Sequence, residues 1–62
     1  MKRFTNMEKH KEALREAGMR KRVFDRLVGV GEKTREQADK QIAIMQEIAD
    51  DYAELAKGER LL

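Results

Sequence analysis

Residues 34–57, TREQADKQIAIMQEIADDYAELAK, decide the fold. The apolar positions Ala38, Ile42, Met45, Ala49, Tyr52 and Ala56 advance by four, three, four, three and four, the alternation that keeps one seam of an α-helix against a neighbour. Ile44, Ile48 and Leu55 widen that seam on one side. At about 100° per residue these positions cover about half the helix circumference, whereas a helix with one neighbour needs an apolar stripe little wider than ~100°. The breadth calls for two neighbours, one from the same chain and one from a second copy. The expected contact surface with that copy comprises Ala38, Ile42, Met45, Ile48, Ala49, Tyr52, Leu55 and Ala56.

Outward from this segment, the remaining signals describe a hairpin. Thr34-Arg35-Glu36-Gln37 has the form of a capping box, in which a threonine hydroxyl and a side chain three residues on satisfy amides at a helix start; Thr5-Asn6-Met7-Glu8 has the same form. Between them Gly29-Val30-Gly31 supplies two residues that tolerate positive φ, so the chain can leave one helix and turn back. No proline interrupts either segment. The sequence therefore predicts an all-α, two-helix hairpin: a helix over about 5–28, a turn over 29–33, a helix over about 34–57 that stops near Gly58, and a frayed tail over 58–62. The first helix has two readings. Its apolar face rotates near Gly18, so it either runs through that glycine at a cost of about 1 kcal/mol relative to Ala, or ends there and restarts near Arg20.

The chain has 62 residues and no cysteine, proline, tryptophan or serine. A chain of this length removes only about 60% of its unfolded surface from water, so one small domain is the ceiling. Without cysteine, neither a disulfide nor a thiolate zinc site can staple it, which leaves oligomerisation, most simply a homodimer forming a four-helix bundle or coiled-coil-like assembly. No apolar run approaches the ~18 residues of a membrane span. Lys2 and Arg3 are followed by Thr5, Asn6 and Glu8 rather than the apolar core of a signal peptide, so the expected location is cytoplasmic.

Net charge is +2, but residues 1–31 hold nine basic and four acidic side chains while residues 32–62 hold five and eight. Halves of +5 and −3 fit either a basic surface for a polyanion or two helices attracting each other. The densest basic run is Met19-Arg20-Lys21-Arg22-Val23-Phe24-Asp25-Arg26. If the chain turns at Gly18, residues 13–27 resemble a helix-turn-helix DNA-binding unit, through Ala13, Leu14 and Ala17, glycine at 18, Met19 after it, and Phe24 and Leu27 on the inner face. That resemblance implies phosphate and base contacts by Arg20, Lys21, Arg22 and Arg26. The bulkier Leu14 stands where the family usually has alanine. The hairpin as a whole is similar in architecture to the Rop-like RNA-binding proteins, with no diagnostic sequence identity. This likeness implies RNA contact by the first helices, here through Lys9, Lys11, Arg15 and Arg22, with Phe4 as a stacking group.

Catalytic chemistry has little to work with. Gly29-Val30-Gly31-Glu32-Lys33-Thr34 resembles a phosphate-binding loop only in outline, because Glu32 splits the Gly-Lys pair and no strand precedes it. His10 is the single histidine and has no cysteine to share a metal with. Asp50 and Asp51 are adjacent, so on a helix they diverge by about 100°. The expectation is a non-enzymatic protein without metal, cofactor or small-molecule substrate. Its leading function is that of a small nucleic-acid-binding regulator, a homodimer contacting DNA or RNA through Lys9, Lys11, Arg15, Arg20, Lys21, Arg22 and Arg26. The alternative is a protein–protein interaction module, an adaptor or small inhibitor of a larger protein.

Overall fold

The computed structural model describes residues 3–60. It contains two helices, α1 (Asn6–Gly29) and α2 (Arg35–Arg60), packed as a hairpin. Both expected capping boxes form. The Glu8 amide donates to Thr5 Oγ1 and the Thr5 amide to Glu8 Oε1, each at 3.1 Å. At the second helix the Gln37 amide donates to Thr34 Oγ1 (3.1 Å) and the Thr34 amide to Gln37 Oε1 (3.2 Å). Each box supplies acceptors for amides that have no partner inside their own helix.

The helix-1 exit depends on Gly31. It sits at φ +80, where an L side chain would be strained. Its amide reaches Val28 O at 3.1 Å and the Glu32 amide reaches Leu27 O at 2.9 Å, the two bonds of a Schellman termination. Lys33 then folds back, its Nζ 4.3 Å from the centre of the Phe24 ring and 2.6 Å from Gln41 Oε1.

Of the two readings of the first helix the continuous one is formed, and the expected end of the second helix is corrected. α1 is continuous through Gly18, so the break and the helix-turn-helix unit that required it are not formed. α2 likewise passes through Gly58 to Arg60 instead of stopping. Residues 61 and 62 of the expected tail lie outside the described residues.

The fully buried part of the contact between the helices is alanine. Ala13 and Ala17 of α1 and Ala38, Ala49 and Ala56 of α2 are the buried residues, and no larger side chain is buried among the described residues. Small residues on both sides let two helices approach toward the short end of the usual ~8–10 Å separation. His10 fits against this seam. Its Nδ1 lies 2.7 Å from the Ala49 carbonyl oxygen; a carbonyl only accepts, so Nδ1 carries the proton. At the open end the Asn6 amide donates to Glu59 Oε1 (3.1 Å), which places a carboxylate at the positive end of α1.

The alanine contact also revises the assignment of α2 surfaces. Ala38, Ala49 and Ala56, expected to meet a second copy, are covered by α1, with Ile42, Met45 and Tyr52 half-buried beside them. Only Ile48 and Leu55 of the eight expected interface residues are exposed. The heptad seam is the intramolecular one, and the flanking residues are left outside.

Two glycine substitutions should move stability in opposite directions. Gly18→Ala meets no atom within 4 Å of the new methyl, so chemical denaturation should show a gain of roughly 0.5–1 kcal/mol. Gly31→Ala should lose about 1–2 kcal/mol, because its φ +80 is retained only at a steric cost.

Candidate nucleic-acid interface

An unbroken α1 fixes where each of the expected basic contacts points. At about 100° per residue, Lys11, Arg15, Arg22 and Arg26 fall within about 60° of one another, on the side opposite Ala13 and Ala17. All four are exposed. They form one outward stripe that spans about 22 Å from Lys11 to Arg26 at 1.5 Å per residue. Gly18 lies along the same side and exposes bare backbone in the middle of it.

The other three candidates lie elsewhere. Lys9 is half-buried and turned toward α2, its Nζ 5.5 Å from the centre of the Tyr52 ring. Arg20 is also half-buried, and its Nε donates to Glu16 Oε1 at 3.1 Å. Lys21 is exposed but lies about 100° from Arg22, in a groove with Asp25, Arg35 and Asp39. The expected seven-residue cluster therefore resolves into a four-residue stripe, one flanking lysine and two side chains engaged beside the hairpin seam. Phe4, the expected stacking group, lies just before α1 and is exposed, with Arg3 Cζ 5.5 Å from its ring centre.

What makes the stripe electropositive is the disposition of the carboxylates on the same helix. Glu8 is engaged in the capping box. Glu12 pairs with Arg15 and Glu16 with Arg20. Asp25 reaches across to α2, where Arg35 Nη1 lies 2.8 Å from its Oδ1 and 3.6 Å from Asp39 Oδ1. Each acidic side chain of α1 thus has a partner, while Lys11, Lys21, Arg22 and Arg26 form no ion pair among the described residues.

Opposite net charges do not bind the two helices together. Among the described residues the one ion pair that crosses between them joins an acid on the basic helix to a base on the acidic one. Lys11, Arg15, Arg22 and Arg26 face solvent and form no ion pair with α2 among the described residues. Local pairing does shift individual groups. The Arg15 hydrogen bond, reinforced by its charge, lowers the Glu12 pKa, and the same contact raises that of Arg15. The hydrogen bond to Asp25 raises the Arg35 pKa in turn.

Among the described residues no group of three His, Asp or Glu side chains is placed to hold a metal ion. No described helix is long and apolar enough to cross a membrane. No protein-family model matches the chain, and no curated protein or solved structure matches it significantly.

The Glu12–Arg15 contact carries a pH prediction. A carboxylate whose folded pKa is lowered contributes stability above its unfolded pKa and loses it as pH falls through the lower, folded value. An NMR titration should place Glu12 below the ordinary glutamate range, and Arg15→Met should return it toward that range.

Proposed function

We propose that this chain is a small nucleic-acid-binding regulatory protein whose contact surface is the outer stripe Lys11–Arg15–Arg22–Arg26. The observation that carries the reading is the pairing pattern on α1: its acids are taken up locally or by Arg35, and among the described residues three of the four stripe cations are left without a carboxylate. A row of cations on a straight rod about 22 Å long matches about six phosphate steps at ~3.4 Å per step along a duplex strand. Bare backbone at Gly18 permits close approach of a sugar–phosphate chain at the centre. Such a surface positions the protein on phosphates and carries little sequence information, since base readout requires side chains placed at base edges.

With α1 straight, the support for a DNA-reading helix-turn-helix is withdrawn. What supports the present reading is compatible with RNA, where backbone and shape contacts predominate. In a homodimer the stripe would be present twice. A protein-interaction module remains the second reading, and the observation that favours it is the set of exposed apolar side chains on α1 and α2.

Binding to duplex RNA and duplex DNA at low and moderate salt tests the proposal. Four phosphate contacts should weaken affinity about a hundredfold between ~50 and ~200 mM salt, and eight, on a dimer, by more than a thousandfold. Arg22→Glu should weaken it further at either salt, whereas Lys40→Glu on the exposed side of α2 should have a much smaller effect. Absence of binding to both duplexes at the lower salt overturns the reading.

A further inference from the structure

The hairpin exposes far more surface than a finished domain of its size. Its accessible area is 5159 Å², whereas a folded monomer of 7.3 kDa is expected to expose about 4,200 Å². The radius of gyration is 14.3 Å and the extents are 48 × 17 × 17 Å, against a radius of about 10.6 Å for a compact chain of this length. The surplus of about 1,000 Å² is close to the ~800 Å² that each partner contributes to a standard interface.

The side chains that would be covered are concentrated on one side. Of the six large apolar residues exposed within the helices, Met19, Val23, Ile44, Ile48 and Leu55 share a side and Leu14 alone lies on the other. Helical spacing places the α1 and α2 members on the same side of the antiparallel pair. Two shallow grooves run along it. One is lined by Ala13, Met45, Ile48 and Tyr52, the next by Met19, Val23, Phe24 and Gln41, and Glu16 borders both. The surface therefore extends along the hairpin, the shape that a second hairpin laid beside it would cover.

We infer that this side is the docking surface for a second copy of the same chain, with Met19, Val23, Ile44, Ile48 and Leu55 packing against their symmetry equivalents in a four-helix assembly. A two-fold contact is self-complementary, so an apolar strip meets an apolar strip, and its edges are mixed in charge, with Glu12 and Glu16 close to Lys9 and Arg20. A second copy fits the missing burial. One copy supplies about the burial that the isolated hairpin lacks, and it adds the larger apolar side chains missing from the alanine core. The surface borders the Lys11–Arg26 stripe, where Arg15 Nη1 lies 3.5 Å from Met19 Sδ, but it does not include Lys11, Arg22 or Arg26, and the inference stands whether or not nucleic acid binds.

Sedimentation equilibrium of the full chain without nucleic acid, across micromolar concentrations, provides the test. Wild type should run at twice 7.3 kDa and melt at a temperature that rises with concentration. Ile48→Asp should become monomeric or unfold, the milder Ile44→Ser should weaken association at least tenfold while retaining helicity, and Leu14→Asp on the opposite side should stay dimeric. A folded wild-type monomer, including one that assembles only with a different protein, overturns the inference. So does a dimer that Ile48→Asp leaves intact, or one that Leu14→Asp disrupts.

Discussion

The burial of Ala13 and Ala17 on α1 and of Ala38, Ala49 and Ala56 on α2, all at the contact between the helices, is the constraint from which the other features follow. Alanine costs no side-chain entropy in a helix and favours helix formation more than any other residue, so it suits both the helices and their approach. Its limitation is area. A methyl group removes little apolar surface from water, and a seam of such groups supplies less hydrophobic stabilisation than a core of leucine and isoleucine. The hairpin must therefore rely on other devices at its ends and sides.

Those devices are specific polar contacts. Two capping boxes satisfy the helix starts, each cap worth about 1 kcal/mol. Gly31 terminates α1, Arg35 ties Asp25 to the start of α2, and Lys33 packs over Phe24. Glu59 accepts the Asn6 amide at the opposite end. His10 bonds the Ala49 carbonyl in between, so that a side chain of α1 registers directly on the backbone of α2. These contacts fix the alignment of the helices, while the apolar side chains that would add burial stay on the outside.

The same economy shapes the electrostatics. A +5 half and a −3 half favour closure by attraction between helices, yet the acids of α1 are taken up by near neighbours and by Arg35. Pairs three or four residues apart form with little loss of freedom because the helix already places them together. With Glu12 engaged by Arg15 and Glu16 by Arg20, the other stripe cations Lys11, Arg22 and Arg26 form no ion pair among the described residues. Lys9 and Arg20 show why a linear count of basic residues overstated the patch: both are half-buried, one against an aromatic ring and the other against a carboxylate.

By itself the sequence determined what depends on near neighbours: two helices, their caps at Thr5 and Thr34, the glycine turn, and an apolar seam repeating along α2. Such features follow from local stereochemistry, so residues within four positions suffice to read them. Continuity at Gly18 and Gly58 was decided in the tertiary structure, because a glycine in a helix costs only about 1 kcal/mol and the hairpin contact on either side outweighs it. The tertiary structure also separated the two apolar edges of α2. Periodicity shows that the helix is apolar over half its circumference, but only the approach of Ala13 and Ala17 determines which edge is covered and leaves Ile44, Ile48 and Leu55 exposed. The outward stripe was settled in the same way, since the direction of Lys11, Arg15, Arg22 and Arg26 is defined only once the opposite side of α1 has been buried.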